Sequence, residues 1–193
     1  MSTDRANNLL EKAYKEINDN IKFAEAKNGA LITLNSAIIA LGSGFVFAQG
    51  VNLCYRWLFA TFAVSLLFPL VLSILSFRAA IGTERRIVKW INEKVKNESN
   101  KVENIGTPKL LYFAYIYSQT PTPREYLEAI GGIPSDIPDT SIEYQLASQV
   151  VDLSAVAFRK FVLFNVAIKV ELLIFVVAML VAVITLVARL LGG

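Results

Sequence analysis

Three stretches of this chain stay apolar on every helical face, with polar, mixed-charge sequence between them. The first runs from about Ala30 to Ala48 (ALITLNSAIIALGSGFVFA) and the second from about Trp57 to Phe77 (WLFATFAVSLLFPLVLSILSF). The third runs from about Val170 to Leu191, with Glu171 and Arg189 near its ends. About 20 helical residues cross the hydrocarbon core of a bilayer. Soluble helices seldom remain apolar all round over such a length, so three transmembrane helices are a better reading than the buried helices of a soluble bundle. Ser36, Gly42, Ser43 and Gly44 suit close helix packing in lipid. Pro69 lies inside the second span, where a membrane helix tolerates a kink. Thr33 and Asn35 are the most polar positions of the first span. They either line a pore in an oligomer or bond to a neighbouring helix. No charge falls in the middle of a span, where ion pathways often carry one.

The remaining sequence predicts helices of a different kind. From residue 4 to about residue 28, Leu9, Leu10, Ala13, Ile17, Ile21 and Ala24 recur at helical spacing and make one apolar stripe. Arg78 to about Asn97 predicts a helix leaving the second span, with Ile81, Val88, Trp90, Ile91 and Val95 as its apolar contacts. Asn97, Asn100 and Asn104 mark a polar loop. After Pro108, the aromatic run Lys109 to Tyr117 suits a helix or a strand. Thr122-Pro-Arg-Glu125 has the form of a capping box with proline at the first helical position, and Gly131-Gly132 ends that helix. Thr140-Ser-Ile-Glu143 suggests a second capping box. No glycine or proline follows until Gly192, which predicts one helix from about Ser141 to Leu191, roughly 75 Å long. The expected fold is therefore an all-α membrane protein. A cytoplasmic amphipathic helix (1–29) leads into a transmembrane hairpin (30–77). A cytoplasmic helical bundle (78–169) follows, its long last helix continuous with the third span (170–191).

Composition narrows the chemistry. The chain has 193 residues, of which 54% are hydrophobic, against roughly 45–50% in an ordinary soluble domain. It has no histidine and one cysteine, Cys54. The usual zinc sites and the Ser-His-Asp and Cys-His arrangements therefore cannot be built within the chain, and no enzyme is expected. A net charge of +3 is too balanced to point to nucleic acid. The acidic residues Asp4, Glu11 and Asp19 in the opening segment are unlike a secretory signal. Lysines and arginines crowd the segment before the first span and the region from Arg78 to Lys169, whereas the short Gln49–Arg56 connection has only Arg56. By the positive-inside rule, the N-terminus and the large loop are expected to be cytoplasmic and the hairpin tip external.

Three clusters are candidates for function. Glu25 and Lys27, where the first helix meets its span, either pair with groups on the soluble helices or form a charged collar at the interface. Arg78, Arg85, Arg86 and Lys89 either hold the phosphate of an anionic ligand or attract anionic lipid. Tyr112, Phe113, Tyr115, Tyr117, Tyr126 and Tyr144 either stack on a base or fill the core of the soluble part. No Gly-rich phosphate loop is present.

Three stretches carry a family resemblance. These are Ile21-Lys-Phe-Ala-Glu-Ala-Lys-Asn-Gly-Ala-Leu31, Leu110-Leu-Tyr-Phe113 followed by Glu125-Tyr-Leu127, and Gln149 to Phe161 with Ala-Phe-Arg-Lys-Phe leading to the last span. In this order, and with this spacing of spans, the chain resembles the PycTM family of transmembrane effectors in Pycsar anti-phage systems. The resemblance implies a bacterial inner-membrane protein without a cofactor. It would be activated by a cyclic pyrimidine mononucleotide, cCMP or cUMP, from a partner cyclase, and would then impair the membrane to cause growth arrest or abortive infection. Membrane lipid and a homo-oligomer are the other implied partners. On this reading, Arg85, Arg86 and Lys160 are the candidates to meet the phosphate, and Tyr112 the candidate to stack on the base. The rival readings are a membrane scaffold or small channel without nucleotide control, and an effector answering a cyclic oligonucleotide.

Overall fold

The computed structural model describes residues 3–77, 93–98, 110–131 and 137–192, and these are helical apart from their turns and connections. Among the described residues the main helices are, in order, α1 (Thr3–Phe47), α2 (Leu53–Ser65), α3 (Leu67–Phe77), α4 (Phe113–Gln119), α5 (Pro123–Ile130) and α6 (Ile142–Gly192). Residues 93–98 form a further short helical segment with Val95 buried. The rest of the helix expected from Arg78 to about Asn97 lies outside the described residues, as do Asn100, Asn104, Pro108 and Lys109. Two compact units divide the chain. One combines Met1–Ala26 with Ala79–Val162, and the other Lys27–Arg78 with Leu163–Gly193. Three helical stretches are long and apolar enough to cross a membrane: Arg5–Phe47, Leu53–Phe77 and Ile142–Ala188.

The first unit has a conventional apolar core. Its part of α1 buries Ala6, Leu10, Ala13, Ile17 and Ala24, with Leu9 and Ile21 half-buried at the margins of the stripe. Steps of four and three residues keep these positions on one face. From α6, Ala147, Val150, Ala157 and Phe158 are buried. The aromatic run after Leu110 becomes the short helix α4, which buries Phe113, Ala114 and Ile116. Thr122 accepts a hydrogen bond from the Glu125 amide while the Glu125 carboxylate accepts from the Thr122 amide, so the expected capping box opens α5. Gly131, at φ 68°, ends it, in a backbone region that glycine enters without steric cost. The start of α6 differs from the expectation. Ser141, not Thr140, is the cap, and its hydroxyl accepts from the Tyr144 amide at 3.2 Å. The helix thus begins one residue later, and the third position holds Tyr144 in place of Glu143. Arg124 donates to Asp139 at 3.0 Å and lies over the Tyr144 ring. The Asp139 carboxylate raises the Arg124 pKa further above its ordinary value. Tyr126 is buried, its hydroxyl donates to the Leu110 carbonyl at 2.9 Å, and burial pushes its phenol well above the usual range.

The second unit is the apolar one, and its contacts give the direction of every helix. Asn28 meets Ser76, Phe45 stacks on Phe59, and a methyl built on Gly42 would touch the Ala63 Cβ at 3.8 Å. As positions rise along α1 they fall along α3 and α2, so these helices form an antiparallel hairpin. Lys27 lies over the Phe164 ring and Asn35 bonds to Glu171, so this part of α1 and α6 run in the same direction. Phe62 packs edge-on against Phe175, joining α2 to α6. At the hairpin tip, Arg56 donates to the Ala48 carbonyl at 2.8 Å, which places a cation where the dipole of α1 ends negative. Asn52 caps α2 by accepting from the Cys54 amide.

The second apolar stretch is not one uninterrupted helix. It breaks at Leu66, between α2 and α3. Pro69 explains the position. It has no amide hydrogen to offer the Ser65 carbonyl four residues earlier, and its ring crowds that carbonyl. Leu66 remains in helical geometry (φ −72°, ψ −14°), and the bonds Leu66 to Phe62 and Leu70 to Leu66 bridge the break.

Two stability predictions follow from this packing. Gly42→Ala should leave the thermal midpoint in detergent unchanged or slightly raised, because the new methyl meets Ala63 at ordinary contact distance. Gly42→Leu should lower it by forcing α1 from α2, at a cost of about 1–3 kcal/mol. Tyr126→Phe, which removes the bond to the Leu110 carbonyl without changing the ring, should cost about 1 kcal/mol in a denaturation curve.

Candidate functional site

In the first unit, charge and aromatic groups converge where α1 meets α6. Lys160 is buried, and its ammonium donates to a Glu25 carboxylate oxygen at 2.8 Å. The two ends differ in exposure, with 9% of the lysine side chain accessible and 42% of the glutamate. A pair open to solvent on one side holds less than a sealed one, for which loss of one partner costs about 3–5 kcal/mol. The exposed end is the carboxylate, so a competing anion reaches the ammonium only by displacing Glu25. Of the two sequence readings for Glu25, pairing with a group on another helix is the one seen. Lys27, in the second unit, sits over the Phe164 ring at 5.4 Å from its centroid.

Around this pair the aromatic residues divide by task. Phe113 stacks on Phe161 at 5.0 Å, Phe161 meets Phe23, and Tyr117 stacks on Phe158. Of the aromatic residues that suggested base stacking, Phe113 and Tyr126 are buried in the core and Tyr115, Tyr117 and Tyr144 are half-buried. Tyr112 is the exception. It leans on Phe113 at 5.0 Å and remains 42% exposed, leaving ring surface free for a planar partner. Of the four residues singled out for ligand contact, the structure describes Tyr112 and Lys160, while Arg85 and Arg86 lie outside the described residues.

Sequence reading passed over one basic group beside Lys160. Arg159 is half-buried, burial lowers its pKa, and its Nε atom has no hydrogen-bond partner among the described residues. A desolvated guanidinium with a donor to spare is suited to a phosphate oxygen. The sequence signal was Arg159 itself, next to Lys160 in the Ala-Phe-Arg-Lys-Phe stretch.

The second unit carries a separate polar arrangement. Asn35 is fully buried and donates from Nδ2 to Glu171 Oε2 at 3.0 Å, while its Oδ1 has no partner among the described residues. Asn28 donates to the Ser76 hydroxyl at 2.9 Å, and the neighbouring Ser73 hydroxyl is buried without a partner among the described residues. Thr33 is exposed and bonds to the Gly29 carbonyl of its own helix. So Asn35, not Thr33, bonds across helices. Glu171, which the sequence places at the start of the third apolar stretch, is held level with Asn35. That level is eight residues (35 − 27), or about 12 Å, beyond the last charged residue of α1, Lys27. No cation pairs with Glu171 among the described residues.

No curated protein and no solved structure shows significant similarity to the chain. Residues 9–189, however, match the Pycsar effector protein domain, PycTM. The match runs through α1, the hairpin, the aromatic helices and α6 to within a few residues of the end. With three helices apolar and long enough to cross a bilayer, the chain belongs to the PycTM family of Pycsar effectors and serves anti-phage defence.

Proposed function

We propose that this effector responds to a cyclic pyrimidine mononucleotide, cCMP or cUMP, made by a partner cyclase, and then impairs the bacterial inner membrane. The observation that carries the reading is the family match over residues 9–189 in a chain whose second unit is built from apolar helices. The chain works without enzymatic chemistry or a cofactor, as a homo-oligomer in lipid. Its N-terminus and main soluble region face the cytoplasm, where the messenger is made. The excess of lysine and arginine in those regions supports that orientation.

Recognition involves the phosphate and the base. Arg85, Arg86 and Lys160 are the candidates for the phosphate, joined by Arg159, whose Nε has no partner among the described residues. Tyr112 offers an exposed ring to the base. A phosphate arriving at Lys160 competes with Glu25 for the same ammonium. Exchange of the carboxylate for the ligand releases a contact between α1 and α6, two helices that also supply residues to the membrane unit. Messenger binding therefore shifts a balance between two helix packings, by as much as the ligand prefers one of them.

Membrane potential in cells tests the reading. Depolarisation is expected when the chain is co-expressed with an active pyrimidine cyclase and not with a catalytically dead one. Depolarisation with either cyclase would identify an unregulated channel. Its absence with both, with the protein confirmed in the membrane, would point to a scaffold or to a cyclic oligonucleotide messenger. Two variants probe the switch. Glu25→Gln should raise depolarisation in the absence of cyclase, since the charge that pairs with Lys160 across α1 and α6 is lost. Arg159→Gln removes one charge-assisted bond of about 1.5–3 kcal/mol, so about tenfold or more messenger should be needed for half-maximal response.

A further inference from the structure

We propose that the polar seam buried in the membrane unit, Asn35 and Glu171 with Ser73 beside the Asn28–Ser76 bond, lines the route by which ions cross once the helices part. Glu171 makes that route selective for cations over anions. The inference rests on the reading that this effector permeabilises the membrane.

The exposed surface of the unit is largely apolar, and the exposed hydroxyls of Thr33, Ser43 and Thr61 are engaged by carbonyls of their own helices. Leu41, Phe68, Val71, Val176, Leu180 and Val183 are all exposed and all apolar. Water and ions do not follow such a surface, and a conducting path needs polar or charged groups along it. Buried polar side chains are found on three helices, and they face inward. Asn28, Asn35 and Gly42 recur every seven residues on α1, which keeps them on one face along the helix. Ser73 and Ser76, three residues apart, share a face of α3. Glu171 comes from α6.

The seam is also incompletely satisfied. Asn35 Oδ1 and Ser73 Oγ are sealed from solvent and have no partner among the described residues, although buried polar atoms in folded proteins are nearly always paired. Asn35 Oδ1 belongs to the amide already bonded to the Glu171 carboxylate, so two kinds of oxygen are offered at one level of the unit. Water or a dehydrating cation satisfies the Asn35 and Glu171 oxygens, and an anion does not. With no cation paired to it among the described residues, the carboxylate sets the sign of the field that an entering ion meets. In the closed state the Asn35–Glu171 bond holds α1 and α6 together across the route, so the pair that filters ions also closes it.

The test is current through the purified full chain in planar bilayers under a KCl gradient, with cCMP and then cUMP added. Wild type should show current with a reversal potential on the potassium side, a severalfold preference for K⁺ over Cl⁻. Glu171→Gln should conduct with that preference abolished, and Glu171→Asp should keep it. Current with no cation preference, or with a preference unchanged in Glu171→Gln, overturns the seam while leaving permeabilisation standing. No current from wild type with either nucleotide overturns the permeabilisation reading and the seam with it. Should Glu171→Gln fail to insert, thiol accessibility decides the point in a Cys54→Ser background. A charged, water-soluble thiol reagent should block current through Ser73→Cys and leave current through Leu180→Cys, on the lipid-facing surface, untouched. Equal block of both, or of neither, counts against the route.

Discussion

Hydrocarbon offers no hydrogen bonds, so a polar side chain within a membrane helix must find its partner on another helix or in its own backbone. That constraint organises the second unit. Thr33 answers it locally by bonding to the Gly29 carbonyl, and so can remain on the outside. Asn28 and Asn35 answer it across the unit, one reaching Ser76 on α3 and the other Glu171 on α6. These two amides fix which face of α1 turns inward. Once that face is set, the antiparallel hairpin and the parallel partner follow, and Gly42 is brought against Ala63 two turns further on. The apolar residues fill the surface that remains, and lipid itself gives little drive for one helix to choose another.

The first unit is held by ordinary apolar burial, in which Ala6, Leu10, Ala13, Ile17 and Ala24 of α1 take part. Against that background the Glu25–Lys160 pair is a specific contact of modest strength. Its lysine is sealed and its glutamate is not. Such asymmetry makes the pair replaceable: a competing anion gains a desolvated ammonium, and the displaced carboxylate returns to water at little cost. A fully buried pair would be too costly to exchange, and a fully exposed one would hold too weakly to matter.

How much of this was legible from the residues depended on range. The three spans stood out because residues 28–47, 57–77 and 172–188 are free of charge. The capping box at Thr122 and the stop at Gly131 were readable because both are local chemistry. At Thr140-Ser141 the local signal was ambiguous, since either hydroxyl can cap a helix, and the tertiary setting chose the second. The aromatic run at Phe113 had no period long enough to separate helix from strand. Glu171 was visible as a residue, and its role was not. Its bond to Asn35 spans 136 positions, and the charge-free run of α6 begins just after it. Without the register between the two helices, it looked like a flanking charge. The same holds for Glu25 and Lys160, 135 positions apart.

The bond between Arg56 and the Ala48 carbonyl has a consequence for the order of assembly. It closes a loop of eight residues, and the other hairpin contacts, Phe45 with Phe59 and Asn28 with Ser76, lie within the first 77 residues. All can form as soon as that length has left the ribosome. Glu171 emerges much later: at about 5–20 residues per second, the interval between residue 77 and residue 171 is roughly 5–20 s. During that time a finished hairpin stands in the bilayer with the Asn35 amide waiting for a carboxylate not yet synthesised. Until α6 arrives that amide lacks its carboxylate, so the bond that joins α1 to α6 in the membrane unit is among the last to form.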